Sequence, residues 1–301
     1  MEKTLKQGML FGLTAYGLWG VIPIYFRMLT DITKSYEILA HRVVWSALFL
    51  ICILVMMNSQ WGTVISVFRR PRMLLTLLLS SVLIALNWFV YIYGVETKRV
   101  VHCSLGYFIT PLVNVALGVI LLNEKIRFWQ GIALGCGVVG MLLMASLADS
   151  FPWIALSLAA TFSSYGLMRK LQPVDTLTGV TIETWILAPI AVLYLFMQGT
   201  AWQTSSRHEH WLLILSGPAT VIPLFCFGQA ARLLPLSTLG FLQYLSPSMQ
   251  FLVAVFYFHE PMNTMQAMAF AVVWVGLLIY SFDLVLAQTG KKRIKKLSKG
   301  E

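Results

Sequence analysis

The sequence predicts an all-α integral membrane protein of ten transmembrane helices arranged as two inverted five-helix repeats. Three observations carry that expectation: an apolar composition, ten apolar runs of spanning length, and a self-similarity at one fixed offset. Of 301 residues, 58% are hydrophobic and 11% are charged, against about 25% charged in an ordinary soluble protein. Such a chain belongs in lipid, and a soluble enzyme core is excluded. The net charge of +10 is not a nucleic-acid footprint, because the basic residues sit in short loops and at the tail rather than along one face. Cys52, Cys103, Cys136 and Cys226 lie singly within apolar segments. Without CxxC or Cys/His spacing, no disulfide framework, metal site or cofactor is expected.

A span needs about 20 mostly apolar residues. The first, 8–26, follows a short basic start; no A-x-A-like cleavage site comes after it, so it reads as a retained helix and not a signal peptide. Span two, 36–57, opens on His41 and Arg42, and span three, 73–94, carries Asn87, Trp88 and Tyr91. Spans four and five, 102–122 and 128–147, are separated by little more than NEKIRF and form a helical hairpin. Spans six to eight cover 152–168, 177–197 and 211–231. Spans nine and ten, 238–258 and 265–286, flank HEPMNT as a second hairpin.

Lys and Arg in short loops set the orientation. With the N-terminus inside, sixteen basic residues, including Arg69, Arg70, Lys125, Arg169, Lys170 and the 291–299 cluster, fall on the inner side and five on the outer, with Arg42 inside its span. Ten spans then return the basic tail, 288–301, to the cytoplasm, where it binds anionic lipid electrostatically.

At an offset of 136 residues, Pro111 falls on Pro247, Glu124 on Glu260, Gln130 on Gln266 and Gly140 on Gly276, without a gap. A shorter echo joins 14-TAYGLWG-20 to 163-SSYGLMR-169. The chain therefore divides into halves, 1–148 and 149–287, of five spans each. An odd number inverts the second half, and inverted repeats build transporters with a site near the midplane. Chance similarity between two apolar hairpins is the alternative. Tyr107, Pro111, Asn114 and Gly118 share one face of span four. Their repeat mates on span nine are Gln243, Pro247, Gln250 and Ala254, and Tyr244 lies beside them. Proline removes a backbone hydrogen bond, and the freed carbonyl must find a partner or a wet cavity. Paired proline-interrupted helices point to a substrate site; packing kinks with amides bonded between helices are the rival reading.

The ten-span duplication with a Pro…Glu hairpin ending each half resembles the EamA-type drug/metabolite transporter superfamily. Within it, 87-NWFVYIYGVE-96 and 104-SLGYFITPLVNVALGVILLNEK-125 are similar to the RarD branch, named for chloramphenicol sensitivity. The resemblance covers nearly the whole chain. It implies a bacterial inner-membrane permease, usually an exporter of metabolites or drugs. His259 and Pro261 flank the second glutamate where Asn123 and Lys125 flank the first, a departure that leaves the fold expectation intact.

Two charges lie inside spans. Arg42 sits about 6 Å outside the midplane and Glu183, in span seven, about 6 Å to the cytoplasmic side. Each is followed by a tryptophan, Trp45 and Trp185. A central Arg costs about 2.5–3.5 kcal/mol on insertion scales. We expect the pair to line the two vestibules of one pathway, with Arg42 attracting an anionic or polar group and Glu183 binding a cationic group or a coupling proton. A purely structural Arg42 that pins its helix is the alternative. Tyr16 and Trp19 on span one and Asn87, Trp88 and Tyr91 on span three offer rings and an amide to a substrate; an interfacial aromatic belt is the rival for the rings. The expected partners are a small-molecule substrate, the bilayer and a candidate coupling proton, with a homodimer left open. No Walker A loop is present, so ATP does not drive the process directly. Scattered histidines argue against a membrane enzyme, the alternative function, and a non-transporting scaffold leaves the polar proline faces without a purpose.

Overall fold

The computed structural model describes residues 2–30, 32–57, 61–97, 99–148, 150–199, 201–259 and 264–297. Glu260 and Pro261, in the turn of the second hairpin, lie outside the described residues, as do Lys98 and residues 298–301. The described residues form helices and no strand: α1 (Glu2–Thr30), α2 (Ser35–Met56), α3 (Trp61–Phe68), α4 (Pro71–Glu96), α5 (Val100–Leu122), α6 (Phe128–Ala145), α7 (Trp153–Leu171), α8 (Thr176–Gln198), α9 (Ala201–Thr204), α10 (Arg207–Leu233), α11 (Leu236–Gln243), α12 (Leu245–Leu252) and α13 (Thr264–Leu297). Nine stretches among them are long and apolar enough to cross a bilayer, counting 236–257 as one. The tenth long helix, α7, is not among the nine. It carries Thr161, Ser163, Ser164, Arg169 and Lys170 and packs against α4, α5 and α10. A helix walled by other helices need not present apolar side chains to lipid.

Helix packing is not sequential along the chain. α1 packs on α10 and α4 on α7; α5 packs on α7 and α12 on α1; α2 packs on α10 and α4 on α8. Three further contacts join α2 to α8, α5 to α11 and α6 to α13. The largest apolar core gathers Ala15, Tyr16, Ile84, Tyr165, Phe227 and Leu239 from five of these helices. Small residues permit the close crossings. A Cβ on Gly217 would lie 2.5 Å from the Trp45 carbonyl oxygen, and one on Gly240 2.7 Å from that of Pro111.

Local caps explain where several helices begin. Asp175 accepts from the Thr178 amide at 3.0 Å to start α8, and Ser206 with Glu209 forms a capping box on α10. Asn123 ends α5 in the left-handed region, φ 53°. The two proline helices differ. α5 runs unbroken through Pro111, whereas the ninth span breaks between α11 and α12 at Tyr244 and finishes in a π-helical turn, Val253–Tyr257. Pro247 has no N–H for the Gln243 carbonyl four residues back. α13 continues past the expected end of span ten, 34 residues in all, or about 51 Å against a hydrocarbon core of about 30 Å. The basic tail is thus helical as far as Leu297.

Candidate functional site

Glu183 stands in the second turn of α8 and is 4% exposed. Ser80 of α4 donates to it at 2.5 Å, the Tyr165 hydroxyl of α7 at 3.1 Å and Arg169 Nη1 at 3.3 Å. Arg169, read from the sequence as a loop charge, is instead on α7 and 1% exposed. It also donates to the Gln172 side chain at 3.1 Å and to the Thr176 carbonyl at 3.2 Å. Gln172 in turn reaches Ser80 at 3.0 Å and the Thr76 carbonyl at 3.2 Å. The guanidinium fits because two glycines stand where side chains would collide: a Cβ on Gly179 would be 2.1 Å from Arg169 Nη1, and one on Gly228 3.2 Å from its Nη2. Around this ion pair the same end of the bundle is laced by Lys170 donating to the Ala231 and Leu234 carbonyls and Arg232 donating to the Val174 carbonyl. Glu124, at the end of the first hairpin's leading helix, accepts from the Leu236 and Ser237 amides at 2.6 and 2.9 Å. It therefore caps α11 across the bundle.

The other end is organised differently. Arg42, in the second turn of α2, is half-buried. Its Nε donates to Thr220 of α10 at 3.0 Å. Its guanidinium carbon lies 4.8 Å from the Phe26 ring centroid and 5.3 Å from that of Trp88, within cation–π range. Tyr25, Tyr91 and Tyr107 are close enough to feel its charge, and the Tyr91 and Tyr107 rings are 6.2 Å apart. No carboxylate pairs with Arg42 among the described residues. His41 is buried, 3.9 Å from Glu37, and its ring is 6.4 Å from Trp202.

A small cavity, with room for about one water molecule, lies between the groups around the two charges. Thr220 and Trp88, both touching Arg42, line it together with Glu183 and Tyr165; Val43, Ile84, Leu187 and Leu224 supply apolar wall. Trp88, Arg42, Tyr91 and Tyr107 are thus brought together from three spans. Tyr16 and Trp19 enter the adjoining aromatic cluster: Trp19 is 5.7 Å from Phe227 and 5.8 Å from Phe162, and the Tyr16 hydroxyl is buried without a partner. Other expected residues engage neighbouring helices. Asn87 donates to the Leu158 carbonyl and Thr161, each at 3.0 Å. Asn114 donates to Gln243 at 2.8 Å, Tyr244 to the Phe108 carbonyl at 3.2 Å, and Gln250 to the Trp19 carbonyl at 3.0 Å. The Pro111 carbonyl faces Gly240, and Pro247 is buried in α12.

Comparison with known proteins decides the family. Residues 6–146 match the EamA-like transporter family. The chain is 41% identical over 284 residues to an uncharacterized transporter of Pseudomonas aeruginosa, PA0485, covering 93% of this chain and 94% of that one. It is 40% identical over 291 residues to the protein RarD of Escherichia coli K12, covering 95% and 97%. The chain belongs to the RarD branch of the EamA-like transporter family. A solved crystal structure with 18% sequence identity superposes with a TM-score of 0.70 over 92% of this chain and 97% of the other, which supports the fold alone. In this EamA-family protein, then, the ion pair and the aromatic-ringed arginine sit inside a multi-pass membrane bundle of a transporter family.

Sequence reasoning missed Arg169, Ser80, Tyr165, Gln172 and Thr220. The echo of TAYGLWG in SSYGLMR held a signal for two of them. It aligns Tyr165 with Tyr16 and sets Arg169 against Gly20, so an arginine replaces a glycine at a matched position within a helix. Ser80 and Thr220 carry no comparable mark.

Proposed function

We propose that the protein is a secondary permease of the bacterial inner membrane. It exports a small metabolite or drug-like compound by alternating access of two inverted halves, 1–148 and 149–287. The observation that carries this reading is a small internal cavity bounded by Arg42's partners on one side and Glu183 on the other. The packing pattern supports inversion. Shifting each span by five exchanges the α1–α10 contact with α7–α4, α5–α7 with α12–α1, and α2–α10 with α8–α4, and it maps α2–α8, α5–α11 and α6–α13 onto themselves. Two halves related by a twofold axis in the membrane plane would produce that exchange.

With both termini cytoplasmic, the positive-inside count puts the Arg169–Glu183 end inside. That end is laced shut in this conformation, while Arg42 lies on the outer side. A proton on Glu183 would cancel the charge that holds Arg169 and unlatch the cytoplasmic end. Release of that proton inside and return of the ion pair would complete a cycle in which proton uptake accompanies export. Glu183→Gln should then abolish the pH dependence of flux in proteoliposomes while membrane insertion persists. Retention of full pH dependence in that variant would exclude the coupling role. The export reading itself is tested by comparing metabolites in medium and cells with and without overexpression. A substrate should accumulate outside, and identical profiles would exclude export.

A further inference from the structure

The charge balance around the cavity is uneven. Glu183 is matched by Arg169. Glu37, on the same helix as Arg42, is bonded by Thr33 at 2.6 Å and faces His41. Arg42 has no anion among the described residues. Its one hydrogen bond there leaves from Nε. The two Nη groups make none, and neither is among the buried polar atoms left without a partner, so they open into accessible space. A guanidinium so placed presents a planar fork that fits a carboxylate with two parallel hydrogen bonds. Phe26 and Trp88 lie within cation–π range of it and supply no countercharge. Immediately beyond Trp88 and Thr220 the cavity wall turns apolar at Val43, Ile84, Leu187 and Leu224.

We propose that Arg42 anchors the carboxylate of a small organic monoanion whose apolar, ring-bearing body packs against Trp88 and the apolar wall beyond it when the pathway opens. The assignment rests on the transporter reading and names its substrate class. A single unmatched guanidinium favours one negative charge over two. A substrate ammonium finds no carboxylate free of Arg169 at Glu183, which disfavours cations and zwitterions. The aromatic wall favours a flat body, since stacked rings add to area burial.

The test uses the purified full chain in proteoliposomes, with phenylacetate, phenylpropionate and benzoate as probes. Each is set against its uncharged amide, the corresponding amine and phenyl phosphate. Binding is read by thermal shift and transport by flux of labelled probe. At least one acid should bind ten times or more as tightly as its amide, and Arg42→Gln should remove that preference while Arg42→Lys keeps part of it. The acid–amide comparison in the unmodified protein needs no variant, so a folding failure of Arg42→Gln leaves the inference exposed. Equal binding of acids and amides, preference for the amine or phosphate, or an unchanged preference in Arg42→Gln would overturn it. If overexpression still moves a metabolite outward while the acids fail, the substrate class falls and the transporter reading stands. If no metabolite moves, both fall.

Discussion

Arg42 and Glu183 pose the same physical problem and receive opposite solutions. Each is a charge within an apolar helix, near the start of spans two and seven. Glu183 is enclosed by a cation, two hydroxyls and a supporting amide, with every contact coming from the protein. Arg42 receives one hydroxyl and two aromatic faces, none of which carries a countercharge. The difference separates a charge matched by a cation from one that has no carboxylate among the described residues. A buried pair is held because either member alone is uncompensated. A half-buried arginine among aromatic rings can keep its charge because water and ring faces still solvate it.

The largest expected effect probes this contrast directly. Arg169→Met leaves Glu183 buried without its cation and should cost about 3–5 kcal/mol of stability. Arg42→Met removes one hydrogen bond and two ring contacts and should cost about 1–2 kcal/mol. Thermal denaturation of both variants in detergent checks the ordering, and equal losses would erase the distinction. Combining Arg169→Met with Glu183→Met should recover most of the first loss, because no lone charge remains. A smaller effect comes from crowding the pair without removing it. Gly179→Ala drives a methyl into the guanidinium and should cost about 1–3 kcal/mol. Gly17→Ala, where nothing lies within 4 Å, is the matching control and should gain up to about 1 kcal/mol from helix propensity. The smallest change concerns the same end at a greater remove. Glu124→Ala uncaps α11 and should cost about 1 kcal/mol. It should also raise hydrogen exchange at the Leu236 and Ser237 amides, a readout that tells loss of the cap from a general loss of stability.

Much of the fold was legible because lipid enforces simple rules. Apolar runs of spanning length marked every long helix, and the expense of charge in hydrocarbon singled out Arg42 and Glu183 before any geometry was known. Less of the site was legible. The face that places Tyr107 with Asn114 also pairs Asn114 with Gln243, but periodicity does not say whether two polar faces meet each other or enclose a space. Trp88 and Tyr91 read equally as belt or site, and nothing in the sequence says that Arg42 lies beside Trp88.

The amino-acid sequence by itself determined the membrane class, the approximate positions of the long helices, the family, and that Arg42 and Glu183 lie within spans. Those properties follow from the local cost of exposing polar groups to lipid, and a window of about twenty residues contains that information. The tertiary structure alone decided that Glu183 is matched by Arg169 while Arg42 stays unmatched. It also decided that the proline of α5 is absorbed in one continuous helix while its mate ends in a break between α11 and α12. Such outcomes depend on the rotation and axial register of each helix against neighbours far away in sequence. Many weak contacts set that register jointly, and no single stretch of chain encodes it.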